Sequence, residues 1–166
     1  VSLDKIKEGI ETFAGVKRRQ EVFLETGNKV FIDDFAHHPT AIRETLSALR
    51  EKYPDKKLIA IFEPRSNTTV TNIFQKELAE SLEVADEVWL TPVYREEKIP
   101  IEKRLDKEKL ICSLHDKGKQ ANAANNFDEI FDYLCNKLDD NTVVVIMSNG
   151  ACGNLRERLL NSFSAD

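Results

Sequence analysis

The chain has 166 residues, with 24 Lys and Arg against 29 Asp and Glu, for a formal net charge of −5. This length suits one domain that can bury a core without disulfides or metal staples. An acidic balance with no basic tract argues against nucleic acid as a main partner, and no apolar run approaches the roughly 20 residues of a membrane span.

In chain order, a short charged helix is expected near Leu3 to Phe13, too rich in Asp, Lys and Glu to be a signal peptide. Glu21 to Glu25 and Lys29 to Asp33 read as two strands around a Thr26-Gly27-Asn28 turn. Pro39 to Tyr53 reads as a helix with Ile42, Leu46 and Leu49 on one face, ended by Pro54. Leu58 to Phe62 is a continuous apolar run, as a strand covered on both faces requires. A helix with Phe74, Leu78 and Leu82 on its buried stripe follows, and then a strand over Val84 to Leu90.

From Tyr94 to Lys109, eleven of sixteen residues are charged. That stretch reads as a solvated excursion, with a mobile flap as the alternative. Leu110, Ile111 and Leu114 suggest a helical turn, Gln120 to Ala123 a short strand, and Phe127 to Leu138 a helix with a strong 3.6-residue stripe. Thr142 to Met147 is a second buried strand, turned by Ser148 to Gly153 into a last helix carrying Leu155, Leu159 and Leu160. The order specifies an α/β fold: a Rossmann-like open, mostly parallel sheet with helices on both faces and an antiparallel N-terminal hairpin. Cys112, Cys135 and Cys152 are odd in number and lack CxxC spacing, so they read as reduced thiols of a cytoplasmic protein.

Ligands of such sheets sit beyond the carboxyl ends of the strands, which directs attention to three polar junctions. In Asp34-Phe35-Ala36-His37-His38-Pro39, Pro39 suits the first helical position, and the free N–H groups there favour a phosphate. Asp34 could accept from ribose hydroxyls and a His could donate to phosphate; helix capping and, more weakly, a His-pair metal site are the other readings. Glu63-Pro64-Arg65-Ser66-Asn67-Thr68-Thr69 combines a guanidinium with hydroxyls and an amide, suited to a carboxylate or phosphate. A capping loop with an Arg65–Glu63 pair would use the same residues. Ser148 to Gly153 can admit a ligand, or can serve close helix–strand packing. Neither GxxxxGK[ST] nor GxGxxG occurs, so the usual grips on a triphosphate or dinucleotide are absent from the chain.

At these junctions the sequence resembles the Mur ligase family, the ATP-dependent amide-bond ligases of peptidoglycan assembly, and in particular their C-terminal domain. Phe13-Ala14-Gly15-Val16-Lys17-Arg18-Arg19 is similar to the segment leading into that domain, which implies a linker helix over 1–14 and the domain itself over 15–166. Asp34-Phe35-Ala36-His37-His38-Pro39 matches the family's Asp-Tyr-(Ala/Gly)-His-x-Pro motif, with Phe35 in place of Tyr. Glu63 to Thr68 and Met147 to Gly150 look most like the branch that joins UDP-N-acetylmuramate to L-alanyl-γ-D-glutamyl-meso-diaminopimelate in recycling, although Ala151-Cys152-Gly153 stands where that branch more often has Gly-Phe-Gly. The L-alanine-adding branch is the near alternative.

The resemblance implies Arg65 as the catalytic residue, stabilising charge at the transferring phosphoryl group or a substrate carboxylate. It implies Asp34, Phe35, His37 and His38 facing ATP, and Ser66, Asn67, Thr68, Ser148 and Asn149 facing substrate. ATP and Mg²⁺ would be held mainly by the missing central domain, with no metal site in this chain. Partners would be UDP-N-acetylmuramate, the murein tripeptide and the protein's own central and N-terminal domains, with no nucleic acid and no membrane. The fragment alone would be inactive. A rival of a different class, a self-contained Rossmann-like binding module, would bind nucleotide as an isolated domain.

Overall fold

The computed structural model describes residues 1–13 and 15–163. Its centre is a six-stranded sheet in the order β1-β2-β6-β3-β4-β5. The strands are β1 (Glu21–Thr26), β2 (Lys29–Asp34), β3 (Lys57–Phe62), β4 (Glu87–Leu90), β5 (Gln120–Ala123) and β6 (Thr142–Met147). The helices are α1 (Leu3–Glu11), α2 (Pro39–Lys52), α3 (Gln75–Leu82), α4 (Lys107–Asp116), α5 (Phe127–Asn136) and α6 (Leu155–Phe163). β1 pairs antiparallel with β2 and every other pairing is parallel. Thr26 faces Lys29 across a two-residue turn in which Gly27 has φ +57°, a conformation glycine takes without steric cost.

The two apolar runs earn their central places by alternation. Leu58, Ala60 and Phe62 of β3, with Val143, Val145 and Met147 of β6, join the stripes of α2 (Ile42, Leu46, Leu49), α3 (Leu78, Leu82) and α4 (Leu110, Leu114). Ile59, Ile61, Val144 and Ile146 face the other way, onto Ile130 and Leu134 of α5 and Leu155 and Leu159 of α6. Crossover handedness explains the division. From β2 to β3 to β4 to β5 the chain advances across the sheet, so α2, α3 and α4 share one face. The return from β5 to β6 runs backwards and puts α5 on the opposite face. β6 therefore sits between two strands whose following helices lie on the other side of the sheet from α6, which opens a crevice at its carboxyl end.

Several expected elements differ in extent. α3 begins at Gln75, and Phe74 belongs to a preceding 3₁₀ turn, Asn72–Phe74. β4 starts at Glu87 instead of Val84, because Ala85 closes a turn onto Leu82 O at 3.1 Å. The suggested turn near Leu110 is a full helix capped by Asp106, whose side chain accepts from Lys109 N.

The charged stretch from Tyr94 to Lys109 keeps most of its charged side chains exposed, as the solvated reading expects, but its backbone is fastened to the domain. Tyr94 N donates to Pro64 O at 3.0 Å and Leu105 N to Val70 O at 3.1 Å, Thr71 bridges Arg104, and Leu105 is 3% exposed. Charged residues fill two 3₁₀ turns, Glu96–Lys98 and Ile101–Lys103, while Ile99 and Leu105 pack on the core beneath them. Among the described residues no helix is long and apolar enough to cross a membrane.

Candidate functional site

The three polar junctions meet. Asp34 of β2 and Phe62 of β3 both lie opposite Met147 of β6, so the three strands end at one level. The ladder continues past those ends: Ser148 N donates to Asp34 O at 3.1 Å and Glu63 N to Met147 O at 3.1 Å.

At the first junction, Asp34 is 2% exposed and its carboxylate is occupied. It accepts from Gln20 N (2.8 Å), Ala36 N (2.7 Å) and the Thr45 hydroxyl (3.3 Å). Asp34 thus acts by tying the segment after Arg18 and the start of α2 to the end of β2. Phe35 N donates to Arg18 O at 2.8 Å, and the Phe35 ring lies 5.4 Å from each of the Arg18 and Arg19 guanidiniums. The Phe35 ring is therefore a cation–π partner.

Pro39 takes the first position of α2 and His38 caps it, its Nδ1 accepting from Thr40 N at 3.4 Å. His37 Nδ1 lies 2.8 Å from Phe35 O. A carbonyl only accepts, so Nδ1 of His37 carries the proton and its Nε2 remains an acceptor when the ring is neutral. His38 is exposed, with its ring 4.8 Å from that of Phe74.

At the second and third junctions, Glu63, 3% exposed, is the shared element. One of its oxygens faces Arg65 Nη1 at 3.4 Å and the other accepts from the Ser148 hydroxyl. Ser148 Oγ in turn accepts from Gly150 N at 2.8 Å. Arg18 Nη2 donates to Ser148 O (2.6 Å) and Gly150 O (2.8 Å). Ser66, Thr68 and Thr69 bond among themselves, with Ser66 Oγ 3.1 Å from Thr68 Oγ1 and 2.8 Å from Thr69 Oγ1, while Asn67 is exposed. Asn149 Oδ1 is buried without a hydrogen-bond partner among the described residues. The two glycines of the last turn divide the two readings of it. A Cβ on Gly153, at φ +60°, would fall 2.3 Å from the Phe127 ring, which is close packing; one on Gly150 would fall 2.3 Å from Arg65 Nε, which is the site.

The family follows from likeness to known proteins. Residues 18–150 match the Mur ligase, glutamate ligase domain. The chain belongs to the Mur ligase family. It is 31% identical over 161 residues to a UDP-N-acetylmuramate–L-alanine ligase of Desulforapulum autotrophicum, covering 96% of this chain and 35% of that protein. Its fold matches a murein peptide ligase of Psychrobacter arcticus with TM-score 0.75 and 32% identity, over 96% of this chain and 32% of that one. It also matches a UDP-N-acetylmuramate–alanine ligase of Thermotoga maritima with TM-score 0.78 and 26% identity, over 99% and 34%. The chain spans about a third of the length of the curated relatives it matches.

This Mur ligase domain holds beside the junctions a cleft of about 390 Å³ lined in part by Arg18, Asp33, Glu21, Cys152 and Arg156. Asp33 Oδ2 pairs with Arg18 Nε and Arg156 Nη1, each at 3.2 Å, and Arg156 Nη2 reaches Glu21 at 2.7 Å. Burial, then the carboxylates of Glu63 and Asp33, push the Cys152 thiol up, so it stays protonated and is no nucleophile at neutral pH. Among the described residues no group of His, Cys, Asp and Glu could hold a metal ion.

The Arg156 hydrogen bond, with a second from Arg18 N, holds the Glu21 carboxyl at about 2, against an ordinary 4.5. A depressed folded pKa stabilises above the unfolded value and loses that contribution as the pH falls through the folded one. Denaturant titrations should therefore find the wild type more stable than Glu21→Gln at pH 7, with the difference closing between about pH 4.5 and 2. A difference independent of pH across that range would show that the pair contributes nothing through its charge.

Sequence reasoning missed Tyr94, whose ring lies 3.7 Å from the Arg65 guanidinium. It stands 29 positions along the chain from Arg65, so no local pattern marks it; only the parallel pairing of β3 and β4 brings the two together.

Proposed function

We propose that this chain is the C-terminal domain of an ATP-dependent ligase that joins UDP-N-acetylmuramate to L-alanyl-γ-D-glutamyl-meso-diaminopimelate. The observation that carries the reading is the convergence of the Glu63–Thr68 and Met147–Gly150 junctions on the buried Glu63, with the Arg65 side chain laid against Gly150 just past the end of β6. The likeness to the murein peptide ligase supports the choice of amine substrate.

In this reading, ATP phosphorylates the muramoyl carboxylate. The peptide amine then attacks the acyl carbon, forming the amide and releasing phosphate. Arg65 stabilises the charge that develops at the phosphoryl group or carboxylate. Phe35, His37 and His38 face the nucleotide, and Asp34 serves them by fixing their loop. Asn67, Ser66, Thr68 and Ser148 border the substrate, and the unpartnered Asn149 Oδ1 fits an incoming N–H donor. Mg²⁺ and the main phosphate grip are assigned in this reading to a central domain of the full-length protein. The apolar face of α1 suits the linker role assigned to 1–14: Leu3, Ile6 and Ile10 are exposed and α1 buries none of its residues. The boundary itself falls at Ala14, outside the described residues. Closure over the acyl phosphate would exclude water. The location expected of such a ligase is the cytoplasm.

The names of the sequence relatives favour a second reading, with L-alanine as the amine. Phosphate release by the full-length protein with UDP-N-acetylmuramate and ATP, comparing tripeptide with L-alanine, separates the two. Preference for the tripeptide is expected, and preference for L-alanine would overturn that substrate. Activity with neither, together with nucleotide binding by the isolated chain, would favour a binding module. The isolated 166-residue chain should show no ligase activity.

A further inference from the structure

We propose that Tyr94 and Gly150 are positioning residues for the Arg65 guanidinium, forming with Glu63 a slot that presents its unused N–H groups to the anion handled at the site. The inference rests on the role proposed above for Arg65.

An arginine side chain has many rotamers, and ordering it at the moment of reaction would cost rate; a charge donor stabilises a transition state best when it is held in advance. Each wall of the slot is itself anchored. The Glu63 carboxylate is 3% exposed and fixed by the Ser148 hydroxyl, whose oxygen is held by Gly150 N. The Tyr94 ring stands 3.7 Å from the guanidinium carbon. Its backbone is tied through Tyr94 N to Pro64 O at 3.0 Å, one residue before Arg65, so the ring and the guanidinium share one local frame. On the remaining side the guanidinium runs against the Cα of Gly150, where a Cβ would come within 2.3 Å of Nε and 2.5 Å of Cζ.

Among the described residues, Arg65 makes one side-chain hydrogen bond, a long one of 3.4 Å from Nη1 to Glu63. Its other N–H groups stay available for a bidentate contact with a phosphoryl or carboxylate group. The Tyr94 hydroxyl makes no hydrogen bond with the described residues, so the ring face is the part of the side chain the slot uses.

The test is steady-state kinetics of the full-length protein with ATP, UDP-N-acetylmuramate and its amine substrate, on variants first checked for folding by thermal unfolding. Tyr94→Leu should lower kcat by roughly tenfold with KM for the UDP-sugar nearly unchanged, while Tyr94→Phe, which keeps the ring, should stay within about twofold of wild type. Gly150→Ala should also lower kcat, by displacing the guanidinium while Tyr94 and Glu63 remain. In an Arg65→Ala background, Tyr94→Leu should cost nothing further, because its effect passes through the missing group. An equal fold-loss from Tyr94→Leu in both backgrounds, or undiminished kcat in both Tyr94→Leu and Gly150→Ala, would overturn the slot while leaving Arg65 in its role. If Arg65→Ala itself retains full activity, the reading of Arg65 fails and the slot with it. Should Tyr94→Leu not fold, Gly150→Ala alone and in the Arg65→Ala background decides.

Discussion

If the proposed ligase function holds, Arg65→Ala in the full-length protein is expected to lower kcat/KM by roughly 2–4 kcal/mol of transition-state binding, the size associated with removing one preorganised charge donor. The geometry favours a large effect. The guanidinium is partly shielded from water against Tyr94, paired on one edge with a buried carboxylate and packed along Gly150, and its other N–H groups make no hydrogen bond among the described residues. Arg65→Lys keeps the charge and the partner for Glu63 but loses the planar fork, so it should preserve folding while restoring only part of the rate. Unchanged kcat/KM for both ATP and the amine substrate in Arg65→Ala would remove this residue from the mechanism.

The largest expected effect on stability is at Asp34. Replacing it with Ala strands Ala36 N, Gln20 N and the Thr45 hydroxyl, three donors that now converge on one buried carboxylate. An unsatisfied buried donor costs about 1–3 kcal/mol, and water can reach the partly buried Gln20 side of the loop, so a net loss of roughly 2–4 kcal/mol is expected. Urea denaturation of the 166-residue chain measures it directly. Asp34→Asn, which keeps one acceptor oxygen, should fall between. A loss below about 0.5 kcal/mol, the ordinary scale of a surface substitution, would show that the carboxylate does not hold the loop. The outcome also bears on the nucleotide. With its oxygens occupied, Asp34 is expected to affect ATP binding through the placement of Phe35, His37 and His38.

The legible parts of this fold were those in which one physical requirement acts on neighbouring residues. Leu58 to Phe62 and Thr142 to Met147 read as strands covered on both faces, and they occupy the middle of the sheet. Pro39 marked the start of α2 because its missing N–H is harmless there alone. Where two requirements competed, local pattern misled. Val84 and Ala85 extend the apolar character of β4 backwards, yet a turn onto Leu82 places them before the strand. The dense charges of Tyr94 to Lys109 marked a solvated surface stretch, and most of them are exposed, but they gave no sign that Ile99 and Leu105 hold that segment to the core.

From its amino-acid sequence alone the protein had a determined fold class, three polar junctions at strand ends and the motifs that mark its family, because each of these is written in adjacent residues. Only the tertiary structure decided how the junctions are used. Inserting β6 between β2 and β3 brings Asp34, Ser148 and Glu63 to one level, withdraws the Asp34 carboxylate into the loop, and sets Arg65 between Glu63, Gly150 and Tyr94. These contacts join residues as far apart in the chain as Glu63 and Ser148. They depend on which strands pair and in what register, and no short window of sequence carries that information.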